Sequence, residues 1–195
     1  MPVHSGDLSR FLMSAFAWPR ENSSPGGHAL WYYDSNSPTR ELQKQIKYHA
    51  GQKLGKHLGE LLAKTIKRES DARFDIVVPI PLHRIRFYQR GYNQAADIAR
   101  GVARELGVDY NETLLQRVKY RASQVTGARS DRLRNLEGAF EMIPDNLLPE
   151  THILLIDDVV TTGSTLYSAV GTLLQDTLCR VTVGTLFFVR PDGHE

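Results

Sequence analysis

The sequence predicts an α/β fold, a mostly parallel twisted sheet with helices on both faces, plus a small N-terminal appendage. Continuous apolar runs such as "FDIVVPI" (74–80) and "HILLI" (152–156) suit strands buried on both faces, where alternation is lost. Stretches with apolar residues at three- and four-residue spacing fall between them and read as helices. Strands that alternate with helices require right-handed crossovers and therefore parallel pairing.

At 195 residues the chain fits one main domain with a real core. Its 41% apolar and 24% charged content is ordinary for a soluble globular protein, with disorder expected only locally, and a net charge of +2 is too small to imply nucleic-acid binding by itself. No run approaches the ~20 apolar residues needed to span a bilayer, so no membrane association is expected. The single cysteine, Cys179, excludes an intrachain disulfide and paired Cys-x-x-Cys zinc knuckles, and a cytoplasmic home is the expectation.

Taken in order, residues 11–18 are too short and too poorly flanked for a signal peptide and read as a helix or turn packed on the domain. "PRENSSPGGH" (19–28) reads as a linker, so 1–28 form the appendage and 29–195 the main domain. "ALWYY" (29–33) is a short strand closed by "DSNSP". Leu42, Ile46, Leu54, Leu58, Leu61, Leu62 and Ile66 then mark helix as far as Ser70, divided near Gly51. After the strand at 74–80 comes a long basic loop, and then a helix over 93–106 with Ala95, Ile98, Ala99 and Val102 on one side. "LLQRV" (114–118) predicts the next strand, and "KYRASQVTGARSDR" (119–132), which has no apolar periodicity, a mobile loop. "HILLI" is a strand, 163–175 a helix, and "RVTVGTLFFV" (180–189) the last strand.

In such sheets ligands bind beyond the carboxyl ends of the strands. The most informative stretch there is "ILLIDDVVTTGSTL" (153–166). Thr161, Thr162, Gly163, Ser164 and Thr165 offer hydroxyls and backbone N–H groups at a helix N-terminus, a pocket sized for phosphate. Gly163 permits the close approach of the backbone to the anion. Asp157 and Asp158 would repel that anion, so they suit the vicinal hydroxyls of a sugar or a hydrated divalent cation. Sugar plus phosphate gives a ribose 5-phosphate. The plainer reading is a capped helix, but one capping residue would serve that purpose. A phosphate-accepting receiver domain needs most of its fold after such an acidic pair, and only 37 residues follow Asp158. No Gly-x-x-x-x-Gly-Lys-Ser/Thr is present, which excludes a P-loop.

Between Arg117 and Arg134, the cations Arg117, Lys119, Arg121, Arg129, Arg132 and Arg134 stand against Asp131 alone, a net +5. Such a segment can close over an anionic substrate and neutralise a departing anion. A patch for single-stranded DNA is the competing reading; the lid is favoured because the segment shares a sheet edge with the phosphate pocket.

These residues carry a resemblance. "ILLIDDVVTTGST" resembles the phosphoribosyl pyrophosphate (PRPP) signature of type I phosphoribosyltransferases. Three further stretches, "KYHAG" (47–51), "VPIPLHRIRFYQRGYNQA" (78–95) and "RVKYRASQVTGARSDRLRNLEGAF" (117–140), resemble the competence-protein ComF branch of these enzymes, over roughly residues 30–190. Many ComF-like chains begin with a cysteine-rich zinc module; residues 1–28 carry no cysteine, so that module is not expected in this stretch.

The resemblance implies transfer of the phosphoribosyl group from PRPP to a small-molecule acceptor with release of pyrophosphate, or a non-catalytic PRPP or nucleotide sensor acting in DNA uptake. Asp157 and Asp158 would face the ribose hydroxyls and stand in the outer shell of Mg2+, and 161–165 would wrap the 5-phosphate. Pro79, Ile80, Pro81, Leu82, His83 and Arg84 form the turn expected at pyrophosphate, with Arg86 and Arg90 just beyond. Arg117, Gln124, Arg129 and Arg132 are the expected lid contacts, Arg132 joining the acidic pair as a catalytic group. Lys47 with Tyr48 is placed near the site or on the surface with equal weight. Thr161 stands where 6-oxopurine enzymes of this fold carry a proton-transferring aspartate, which disfavours that acceptor. His49, His57 and His83 qualify as acid–base groups by residue type alone. Members of the fold often pair, so a homodimer is also implied.

Overall fold

The computed structural model describes residues 1–18, 25–47, 51–119, 138–143, 150–176 and 178–190. Five strands form the main sheet, β1 (Gly26–Tyr32), β2 (Ile76–Pro79), β3 (Asp109–Tyr110), β6 (His152–Val160) and β7 (Arg180–Phe188), in the order β1-β7-β6-β2-β3. All four pairings are parallel. A separate antiparallel ribbon joins β4 (Leu115–Arg117) to β5 (Phe140–Met142). The helices are α1 (Asp7–Ala15), α2 (Pro38–Ile46), α3 (Gly51–Glu69), α4 (Arg84–Arg90), α5 (Gln94–Leu106) and α6 (Ser164–Asp176).

Each face of the sheet has its own core. Leu8 and Leu12 of α1, Leu166, Val170 and Leu173 of α6, and Phe140 of the ribbon pack on one side with Ile153, Leu155 and Val183. Leu58, Leu62 and Ile66 of α3 pack on the other with Ile98, Val102, Leu154 and Ile156. Alternate residues of β6 thus serve opposite cores, which is why "HILLI" is apolar throughout. Each fully buried Leu or Ile stabilises by about 1.5–3 kcal/mol. Helices α3 and α5 touch through their backbones: a Cβ on Gly59 would lie 2.1 Å from Ile98 O, and one on Gly101 2.0 Å from Lys56 O.

Local signals set the helix ends. Ser37 accepts from Thr39 N at 3.3 Å and Pro38 takes the first position of α2, while Asn93 accepts from Ala95 N at 3.2 Å to start α5. Gly107, with φ 72°, closes α5.

Several expectations change. β1 starts at Gly26, so the last residues of the expected linker belong to the sheet. The basic loop after β2 contains α4, capped by His83 and closed by Gly91 at φ 79°. The strand expected at 114–118 lies in the antiparallel ribbon, and the edge place beside β2 goes to the two-residue β3. The outer edge of β1 is met by the first residues of the chain, with Val3 N donating to Leu30 O at 3.1 Å and Tyr32 N to Met1 O at 2.9 Å. Among the described residues no helix is long and apolar enough to cross a membrane.

Candidate functional site

The acidic pair lies inside β6. The expected strand ended at Ile156, but its ladder to β7 continues through Asp157↔Thr185 and Val159↔Phe187, so the turn starts only at Thr161. Asp158 N donates to Asp157 Oδ1 at 2.9 Å. Burial, and then the charge of Asp158, push the Asp157 carboxyl well above the usual carboxylate range; the Asp158 N–H and the Arg117 guanidinium oppose the rise.

Beyond Val160 the chain turns through Gly163, at φ 73°, into α6. Asp157 and residues 159–166 line a small cavity of about 210 Å³, open solvent included. Thr162 Oγ1 and Ser164 Oγ are 3.0 Å apart, and among the described residues none of the hydroxyls of 161–165 caps a backbone N–H of α6. The first turn of α6 is therefore open toward the cavity, with no side-chain cap among the described residues.

A wall that the sequence did not disclose stands behind this loop. Phe16 stacks on Tyr167 with ring centroids 4.8 Å apart, Phe11 packs edge-on to Phe16, and Tyr167 OH donates to Ala17 O at 2.9 Å. The segment after α1 is thereby fixed to α6. Such contacts join residues about 150 positions apart, and no local pattern announces them.

The turn after β2 offers fewer donors than its sequence suggests. Pro79 and Pro81 have no N–H, and Ile80 N is taken by Ile156 O at 2.8 Å. His83 Nδ1 accepts from Ile85 N at 3.2 Å, a capping role. With Ile85 N–H taken by His83, the N–H groups of Leu82, Arg84 and Arg86 remain to meet an anion. Arg84 is exposed, whereas Arg86 and Arg90 are half-buried.

Two cations approach the acidic pair from other elements. Arg117, at the end of β4, lies over the Phe140 ring at 5.4 Å, acts electrostatically on Asp157, and has a buried Nε without a hydrogen-bond partner. Burial lowers its pKa, as does Arg86. Lys47 is half-buried beside the site; burial lowers its pKa most, Asp158 raises it, and Arg90 and Arg86 lower it. Of the other residues singled out, Gln124, Arg129 and Arg132, with Tyr48 and His49, fall outside the described residues. His57 stands exposed at 3.8 Å from Glu60.

Among the described residues no three His, Cys, Asp or Glu side chains gather as a metal cage. Two adjacent carboxylates match a hard cation that keeps most of its water and takes phosphate oxygens from a substrate, so the donor set fits Mg2+ in the outer-shell role.

No family model matches the chain. The Competence protein F of Haemophilus influenzae is 37% identical over 93 residues, 47% of this chain and 41% of that protein, so the match spans less than half of that relative. The DNA utilization protein YhgH of Salmonella typhimurium is 30% identical over 158 residues, 78% of this chain and 68% of that protein. The Competence protein ComFC of Streptococcus pneumoniae is 29% identical over 170 residues, covering 87% and 71%. Among solved structures, a glutamine PRPP amidotransferase from B. subtilis aligns at TM-score 0.49 and 18% identity, over 73% of this chain and 30% of that one. The adenine phosphoribosyltransferase of Leishmania tarentolae aligns at 0.43 and 15%, over 86% and 94%. Both scores fall below 0.5, and the α/β assignment rests on the strand order itself. Two thirds of the Salmonella relative is matched, and the chain accordingly belongs to the ComF family of competence and DNA utilization proteins.

Proposed function

We propose that this site binds PRPP with Mg2+ and transfers its phosphoribosyl group to a nucleophile, releasing pyrophosphate. One observation carries the reading: the acidic pair, fixed within the β6 ladder, leads directly into a cavity lined by the hydroxyls of 161–165 and the open first turn of α6. Vicinal hydroxyls and a phosphate, at the spacing of a pentose, would meet these two parts together. Asp157 and Asp158 would accept from the ribose hydroxyls, and the N-terminal turn of α6 would hold the 5-phosphate. At the anomeric carbon the bond to the pyrophosphate oxygen breaks, a bond to the acceptor forms, and the acceptor gives up a proton. Mg2+ would neutralise the leaving group through its oxygens. Arg117 and the N–H groups at the start of α4 would attract the same anion, and water exclusion would strengthen these attractions.

A second reading follows from the names of the relatives, which refer to competence and to DNA utilization. In it the same site senses PRPP or a nucleotide and acts through a partner in DNA uptake, without turnover. Calorimetric titration with PRPP, with and without Mg2+, tests the shared premise, and Mg2+-dependent binding is expected. Pyrophosphate release with a panel of acceptors then separates enzyme from sensor. Absence of PRPP binding would refute both.

A further inference from the structure

Residues 81–92 leave the sheet after β2 and return to begin α5, and this excursion carries α4, which buries none of its residues. Packing against a core therefore does little to hold α4, and its position depends on the base of the excursion. Two residues form that base. Ile80 N donates to Ile156 O at 2.8 Å, which ties the turn to the residue just before Asp157. Asn93 Nδ2 donates to Ile80 O at 3.0 Å, so both polar groups of the Ile80 backbone are held, one from β6 and one from the start of α5. The flanking Pro79 and Pro81 have no N–H to add a further tie. Asn93 itself stands between buried neighbours, Tyr92 at 7% and Gln94 at 2% exposure, and Tyr92 OH donates to Ile46 O at the end of α2.

The residue type is informative. Asn93 Oδ1 accepts from Ala95 N at 3.2 Å and caps α5. Asp or Ser would cap a helix as well as Asn does. The amide adds a second arm, an N–H donor that reaches a different stretch of backbone. Ile80 is 4% exposed, so its carbonyl would be costly to leave without that donor.

We infer that Asn93 is a positioning residue for the pyrophosphate half of the site: its bond to Ile80 O closes the excursion at its base and holds the turn after β2 in place relative to the acidic pair. This inference rests on the PRPP reading above. The donors of that turn, the Leu82 N–H among them, would then stand at a set distance from Asp157, so that one ligand reaches both. Ribose 5-phosphate makes no such demand, because its places lie on β6 and at the start of α6, and the two side-chain bonds of Asn93 run to the turn and to α5.

The test is calorimetric titration of the full chain with three probes: ribose 5-phosphate, inorganic pyrophosphate with Mg2+, and PRPP with Mg2+. Asn93→Asp keeps the cap and the shape of the side chain but has no N–H to give. Asn93→Ser keeps a cap without adding charge, and its hydroxyl stops one atom short of the place of Nδ2. Both variants are expected to lose ~10-fold in affinity for pyrophosphate and PRPP, while ribose 5-phosphate stays within about twofold. Urea midpoints should stay close to that of the wild type, since the cap is retained. A merely structural role would not split the two halves of the ligand, so equal losses of ribose 5-phosphate and PRPP would overturn the inference. Unchanged PRPP affinity in both variants would overturn it too, as would a loss confined to Asn93→Asp, which would assign the effect to the added charge. Failure of the wild-type chain to bind PRPP would instead refute the function proposed above, and the inference with it.

Discussion

The ring of Phe16 leaves no room for a side chain at Gly163: a Cβ there would sit 2.8 Å from Phe16 Cε2, with Phe11 Cε1 at 3.0 Å and the backbone at φ 73°. Gly163→Ala is therefore strained by both its dihedral and its neighbours, and should cost about 2 kcal/mol in urea denaturation. It should also weaken ribose 5-phosphate binding, because the loop must move to relieve the clash. Phe16→Leu in the same chain should restore part of both losses.

Asp157→Asn separates stability from function. Burial and the neighbouring Asp158 raise the native carboxyl, so between the ordinary carboxylate range and that raised value the folded state keeps a proton that the unfolded chain has lost. Stability then falls as pH rises from the ordinary carboxylate range through the raised value, and stays lower above it. The amide has no such charge, so the variant should show a higher denaturation midpoint at neutral pH and a flatter pH dependence. Its PRPP affinity should drop ~30-fold, the loss expected when a charged acceptor is removed from hydroxyl donors. An unchanged affinity in calorimetry would refute the ribose assignment.

Arg117→Met tests the cation over Phe140. Arg117 draws the Asp157 carboxyl down, so without it a proton stays on Asp157 to higher pH. Acidification should then abolish PRPP binding at a higher pH than in the wild type, as read from titrations across a pH series. Arg117→Lys should restore part of the charge effect but not the stacking on Phe140.

Gly101→Ala probes the α3–α5 contact. A Cβ 2.0 Å from Lys56 O cannot be accommodated without separating the helices, and a loss of about 3 kcal/mol is expected in denaturant titration. The atoms a Cβ would meet there all belong to Lys56 of α3 and none to the acidic pair, so PRPP affinity of the folded fraction should be retained.

What could be read from the chain was whatever is local. The apolar runs of β2, β6 and β7 and the spacing in α3 and α5 report burial directly, and the acidic pair and phosphate loop are contiguous, so one stretch discloses both. Helix α4 escaped because it buries none of its residues, which leaves no apolar stripe to detect. β3 has two residues, too few for a pattern, and the ribbon assignment of Leu115 depends on Met142, far along the chain. The nearness of Lys47 to Asp158 and of Phe16 to Gly163 arises only when the sheet brings distant elements together. The capping use of His83 was legible in kind, since a polar residue just before a helix is a cap signal, but only once a helix was expected there.

The covered edge of β1 bears on how the molecule meets others of its kind. An unprotected outer strand in a parallel sheet is a template on which another chain can add by backbone pairing. Here Met1 and Val3 occupy that row of donors and acceptors, with Pro2 bridging Trp31, and proline cannot extend a ladder further outward. Three residues at one margin of the sheet thus guard it against growing sideways into a polymer.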